Sequence, residues 1–344
     1  MNTTILTVNE TNLQLLEPVA GQLRNGALAA FPTETVYGLG AVYNNDKALR
    51  EIFAVKGRPA DNPLIVHIWK TGQLAELTGE VSSKAGCLIN RFWPGPLTII
   101  FPKRPEVSPV VTAGLDTVAV RMPSHPVARE LLRLTGIPVA APSANLSGRP
   151  SPTRGSHVIE DLNGKIDFII DAGPCSSGVE STVVSLASAQ PLILRPGSVT
   201  REMLEAVLKE PVGLVLPGEI DRPQAPGMKY RHYAPKAPAT LVEGENHRIV
   251  ETINSLLSKK STGQRMVVLS STENIKEYKT EWVLDLGSRN DPATIANRLY
   301  DLLRFCDHLA ADHIYIEGIP DQGVGTAVLN RFRKAAGGNV IHVS

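Results

Sequence analysis

Between residues 211 and 237 the chain carries Pro211, Pro217, Pro223, Pro226 and Pro235 together with Gly213, Gly218 and Gly227. Proline removes a backbone donor and fixes φ, and glycine is costly to order, so this stretch propagates neither a helix nor a central strand. It divides a 344-residue chain into two regions that are each long enough to bury a core. We read 1–210 as one domain, 211–237 as a proline-stiffened linker and 238–344 as a second domain.

The first region alternates short apolar runs with helical patterns, which predicts an α/β fold. Strands are expected at Ala27–Phe31, Leu64–Ile68, Leu97–Phe101, Thr117–Arg121, Pro138–Ala141, Phe168–Ile170, Thr182–Leu186 and Leu192–Leu194. Helices are expected at Leu13–Arg24, Asp46–Val55, Ser82–Phe92, Val127–Leu134 and Arg201–Leu208, with Ser124 and Thr200 as N-caps. The runs at 182–186 and 192–194 leave no room for a helix between them, so the sheet should be mixed.

After the linker the alternation becomes regular. Strands are expected at 239–243, 265–269, 282–286, 313–317 and 339–343, and helices at 247–258, 273–278, 293–310 and 326–336. Asp291-Pro292 reads as an N-cap followed by proline in the first turn. This predicts a smaller Rossmann-like parallel sheet. The loop Gly323-Val324-Gly325-Thr326 before a helix could hold an anion on backbone amides, but the dinucleotide fingerprint is missing and a tight turn is the favoured reading.

Composition excludes several classes. With 42% hydrophobic and 20% charged residues the chain is an ordinary globular protein, and no apolar run approaches the roughly 18 residues of a membrane span. The start, Met1-Asn2-Thr3-Thr4-Ile5, lacks the marks of a secretory signal, which predicts a cytoplasmic location. Cys87, Cys175 and Cys306 are isolated and the histidines show no His-Glu-x-x-His spacing, so no metal-ligating set is assigned. Residues 1–210 hold 19 basic and 19 acidic side chains, and the net charge of the whole chain is +1. That balance, with 5% aromatic residues, argues for weak or no direct RNA binding.

Two polar constellations stand out: Lys56-Gly57-Arg58-Pro59 and Ser143-Ala144-Asn145-Leu146-Ser147-Gly148. Lys and Arg two residues apart, answered by Ser and Asn two residues apart, suit a polyphosphate: the cations neutralise charge, and the hydroxyl and amide orient oxygens. Plainer readings exist for each. Lys56 can complement a helix C-terminus, and Ser143 and Asn145 can be turn formers. His67 can be a core histidine, Arg195 a surface charge, and Trp93-Pro94-Gly95-Pro96 a structural turn.

In order along the chain run Pro32-Thr33-Glu34-Thr35-Val36-Tyr37-Gly38-Leu39-Gly40, Lys56-Gly57-Arg58-Pro59, Asn62-Pro63-Leu64, Trp93-Pro94-Gly95-Pro96-Leu97-Thr98, Arg121-Met122-Pro123, Ala141 to Gly148, Ser181-Thr182-Val183 and Arg195-Pro196-Gly197. This series closely resembles the YrdC-type threonylcarbamoyl-AMP synthase family, and the Tyr230-Arg231-His232-Tyr233-Ala234-Pro235 linker with the second sheet resembles its long, two-domain branch. The resemblance implies a YrdC-like twisted mixed sheet and a nucleotidyltransferase that joins L-threonine, bicarbonate and ATP into threonylcarbamoyl-adenylate and pyrophosphate. That product would pass to a separate transferase complex, which modifies the adenosine beside the tRNA anticodon.

By the same resemblance Lys56, Arg58, Ser143 and Asn145 carry the chemistry, and Asn62, Thr117, Ser151, Arg195 and Tyr230 join them around ATP. Thr35, His67, Arg121, Ala141 and Ser181 would hold threonine, with Arg121 the partner of its carboxylate, and Mg²⁺ would accompany the phosphates. A basic, aromatic linker beside such a site suggests a lid that excludes water. A salt-sensitive RNA-binding module is the second reading. The third, transfer from carbamoyl phosphate as in hydrogenase-maturation proteins, would want Cys-rich modules that three scattered cysteines cannot supply.

Overall fold

A computed structural model describes residues 2–215 and 233–344, which divide into two compact units: 2–147 with 151–215, and 148–150 with 233–344. The lid assigned to Tyr230–Tyr233 therefore lies, apart from Tyr233, outside the described residues.

The first unit is built on β1 (Thr4–Thr7), β2 (Ala29–Phe31), β3 (Gly38–Val42), β4 (Ile65–His67), β5 (Leu97–Pro102), β6 (Thr117–Arg121), β7 (Val139–Ala141), β8 (Phe168–Asp171), β9 (Thr182–Ser185), β10 (Leu192–Arg195) and β11 (Gly213–Leu214). They form one sheet in the order β1-β8-β2-β3-β7-β4-β6-β5-β9-β10-β11. The sheet is mixed, as expected: β4–β6 and β5–β9 pair in parallel, whereas β7–β4, β6–β5 and β9–β10 are antiparallel.

Successive strand residues point to opposite faces, and that alternation positions the site. Val66 of β4, Val118 and Val120 of β6, and Leu97, Ile99 and Phe101 of β5 enter one core with Leu49 and Ile52 of the helix Asp46–Lys56 and Leu88 of the helix Ser83–Phe92. The intervening residues, His67, Thr117, Ala119, Arg121 and Thr98, must then face the other way. On that second face the helices Leu16–Arg24 and Pro126–Thr135 pack with Phe31, Val139 and Ala141.

Among the differences from the sequence reading, three have a plain physical reason. Strand β3, Gly-Leu-Gly-Ala-Val, has a single β-branched residue, Val42, and two glycines that do not announce a strand; a Cβ on Gly40 would sit 2.6 Å from Val139 and 2.7 Å from Phe31, so glycine is what the close packing requires. Strand β1, Thr-Ile-Leu-Thr at the sheet edge, is also absent from the expected strands, because its two apolar residues are adjacent and give no alternation. Ser124 does not cap the helix Pro126–Thr135. His125 does, its ring accepting from Val127 N, because Pro126 occupies the first turn.

The second unit holds β12 (Ala239–Gly244), β13 (Met266–Ser271), β14 (Val283–Gly287), β15 (His313–Glu317) and β16 (Val340–Val343), all parallel, in the order β14-β13-β15-β12-β16. The helices Asn246–Leu257, Pro292–His308 and Val324–Ala335 lie between the strands in sequence, and Asp291 caps the second through Ala293 N. The expected helix 273–278 is a 3-10 segment, Thr272–Glu277. It belongs to a hub in which the fully buried Glu317 carboxylate accepts from Ser270, Ser271, Asn274, Tyr278 and Arg289. A Cβ on Gly325 would meet Pro320 O at 2.2 Å, so this glycine serves close packing of the first turn of the helix Val324–Ala335.

Candidate functional site

The helix Asp46–Lys56 starts on Asn45, whose side chain accepts from Ala48 N, and ends where Gly57 turns left-handed at φ 59°. Lys56 closes this helix, yet its ammonium does not serve the helix end. It reaches across to the main-chain oxygens of Ser143 (2.6 Å) and Asn145, and Ser147 N returns a bond to Lys56 O. The Ser143–Gly148 segment is held from both sides, because Gly38 bridges Ser143 and Ala144 N donates to Tyr37 O. Within it, Ser143 Oγ donates to Asn145 Oδ1 at 2.5 Å. Lys56, Ser143 and Asn145 thus form one cluster.

Arg58 donates to the carbonyls of Asn62 and Pro63, both at 3.3 Å, which folds the Lys-Gly-Arg-Pro loop over Asn62. Asn62 is fully buried, and among the described residues neither polar atom of its amide has a hydrogen-bond partner. A buried amide left unsatisfied is costly and marks a position kept for something other than packing.

A second cluster surrounds Arg121 at the end of β6. Its Nη1 donates to Thr35 Oγ1 at 2.8 Å, its Nε to Gly95 O at 3.2 Å, and its Nη2 lies 2.7 Å from Glu34 Oε1. His67 stands beside Arg121 in register on β4, against Ile65 O and edge-on to Phe31. Burial first, and the neighbouring Arg121 charge second, push the His67 pKa down to about 3, so the ring is neutral. Thr98, opposite Arg121 on β5, shares a 2.7 Å hydrogen bond with Ser181 Oγ. Arg195 Nη2 donates to the same oxygen at 3.1 Å and, with Nε, to Ser181 O. Arg195 is buried and not a surface charge. Ser151 is buried alongside, donating to Glu180 at 2.6 Å.

The clusters sit at opposite ends of the same strands. Thr117 opens β6 and Arg121 closes it, four residues or about 13 Å away at a strand's rise. The pairings Ile65 with Ala119 and Ile65 with Ala141 put Asn62, Thr117 and Ser143 toward one end and His67 with Arg121 at the other, with Ala141 between. The sequence reading passed over Glu34, Thr98, Glu180 and the Gly95 carbonyl. Glu34 and Thr98 lay in quoted motifs, but nothing in one sequence says which motif residue touches which. Tyr230 lies outside the described residues, and among those described no three His, Cys, Asp or Glu side chains gather as a metal site.

A family model described as "Telomere recombination", covering the Sua5, YciO and YrdC proteins, matches residues 21–197, and one described as "Threonylcarbamoyl-AMP synthase, C-terminal domain" matches 199–337. The threonylcarbamoyl-AMP synthase of Bacillus subtilis is 50% identical over 96% of this chain and 95% of its own. The chain belongs to the threonylcarbamoyl-AMP synthase family, in its two-domain Sua5 branch. The Pyrococcus abyssi synthase is 47% identical over 94% of both chains. The structure of P. abyssi Sua5 complexed with L-threonine matches with a TM-score of 0.94 at 45% identity, covering 99% of this chain and 100% of that one. The two family-model matches meet near residue 198, whereas the break in composition comes at 211.

Proposed function

We propose that this chain makes L-threonylcarbamoyl-adenylate from L-threonine, bicarbonate and ATP, with release of pyrophosphate. The observation that most supports this is the pair of polar clusters at the two ends of β4 and β6. One is built of Lys56, Ser143 and Asn145 near Asn62, the other of Arg121, Thr35 and Ser181.

The free amine of threonine and bicarbonate form a carbamate with loss of water; a carbamate oxygen attacks the α-phosphorus of ATP, the bond from that phosphorus to the bridging β-phosphate oxygen breaks, and pyrophosphate leaves. Both partners are anions, so catalysis is chiefly charge neutralisation and alignment and needs no covalent nucleophile. Lys56, Arg58 and Arg195 supply positive charge; Asn62, Thr117, Ser143, Asn145, Ser151 and Tyr230 orient ATP. At the other end the Arg121 fork takes the threonine carboxylate, with Thr35, Ser181, Ala141 and the neutral His67 shaping the pocket. Hard oxygen donors such as Ser143 Oγ and Asn145 Oδ1 suit Mg²⁺ arriving on the phosphates, where it would neutralise phosphate charge.

No helix among the described residues is long and apolar enough to cross a membrane. We place the reaction in the cytoplasm, upstream of a separate transferase that modifies tRNA. Near-neutral net charge fits weak or no direct RNA binding. Pyrophosphate release tests the reading: it should require threonine and bicarbonate together, and equal turnover with carbamoyl phosphate in place of both would replace it with carbamoyl transfer.

A further inference from the structure

A buried guanidinium needs a counter-charge. For Arg121 that charge is Glu34, the two side chains being 4% and 8% exposed and 2.7 Å apart. Glu34 is itself fixed from two directions: its Oε2 accepts from Ser124 N at 3.1 Å, and its carbonyl accepts from Ser177 N at 2.7 Å. Two neighbouring ionisable groups, Cys175 and His67, add no charge. Burial raises the Cys175 thiol pKa to about 12, and the His67 pKa lies near 3. The buried pair therefore sums to zero.

Set against this pair, a neutral ligand leaves no uncompensated charge out of water, whereas a net charge does. The threonine zwitterion meets that condition, its carboxylate answering Arg121 and its ammonium answering Glu34. A hydroxy acid of the same shape brings a carboxylate alone and leaves one negative charge in excess. We propose that Glu34 is a positioning and specificity-determining residue: it holds the Arg121 fork in place and makes the pocket select an α-amino acid zwitterion over the corresponding hydroxy acid. This rests on the assignment of threonine to Arg121 and deepens it.

Calorimetric titration of the full chain with L-threonine, and with the analogue bearing a hydroxyl in place of the α-ammonium, tests the proposal. For Glu34→Gln the preference for threonine over the hydroxy acid should fall by about tenfold or more, threonine binding weaker and the hydroxy acid unchanged or tighter. Glu34→Asp keeps the charge and should keep the wild-type preference; it also serves if Glu34→Gln fails to fold, since a charge-keeping variant that loses the preference while retaining its thermal midpoint overturns the proposal. Parallel weakening of both ligands in Glu34→Gln would make Glu34 a structural residue only. Loss of threonine binding in Arg121→Gln with an unchanged preference in Glu34→Gln would leave the threonine site standing and remove Glu34 from it. Absence of threonine binding to the wild-type chain would remove both.

Discussion

His67 and Arg121 stand opposite each other on the parallel strands β4 and β6, a buried imidazole beside a buried guanidinium. Nothing in that arrangement welcomes a second positive charge, so His67 stays neutral far below its ordinary pKa. In the unfolded chain it titrates near 6.5; in the fold its pKa is about 3. Between those values the unfolded state binds a proton that the native state refuses, so this residue lowers stability as pH falls from about 6.5 toward 3 and is without effect above that window. From pH 6 to pH 5 it should cost about 1 kcal/mol. Urea unfolding of wild type and His67→Gln at pH 7, 6 and 5 measures it. The variant should lose stability less steeply, and equal slopes would place the proton elsewhere.

Lys56 and Arg58, two residues apart, should behave differently on substitution. Lys56→Met leaves the carbonyls of Ser143 and Asn145 without their donor, so stability should drop by about 1–3 kcal/mol and activity should fall with it. Arg58→Ala removes two long bonds to the carbonyls of Asn62 and Pro63, so the melting temperature should hardly move while pyrophosphate release falls by about tenfold or more. Thermal melts alongside activity separate the two; a collapse of stability in Arg58→Ala with normal specific activity would assign that motif to structure.

Gly197 passes so close to the 180–182 backbone that a Cβ would lie 2.4 Å from Thr182 N and 2.6 Å from Glu180 O. Main-chain atoms cannot swing aside as a flexible side chain can. Gly197→Ala should therefore displace the Arg195-Pro196-Gly197 turn, disturb the Arg195–Ser181 contacts and destabilise the unit by about 1–3 kcal/mol. Chemical unfolding with ATP titration checks it, and wild-type values in both would show that the turn relaxes at no cost.

Strongly patterned elements were legible in the sequence. Thr117–Arg121, Arg201–Leu208 and His313–Glu317 match their expected bounds, because alternation or a helical stripe carries through each element. Strand β3 was not legible, since its glycines answer to Phe31 and Val139, residues brought close only by the fold. For the site, the polar residue types could be read, but their pairings could not. Lys56 and Arg195 could be assigned to phosphate only through the motif resemblance, and the residues alone allow a helix-end charge and a surface charge; in the fold Lys56 ties the Ser143 loop, Arg195 is buried against Ser181, and Glu34 meets Arg121 from 87 positions away with no local sign of it. Burial and charge pairing are decided by strands that are neighbours in space and distant in sequence.

The most direct test follows labelled bicarbonate into product. Wild-type protein incubated with ATP, L-threonine and isotopically labelled bicarbonate should yield, by mass spectrometry, an adenylate that carries both threonine and the labelled carbon. Arg121→Gln and Lys56→Met should form little of it. An adenylate without the label, or none from active wild-type protein, would contradict the account.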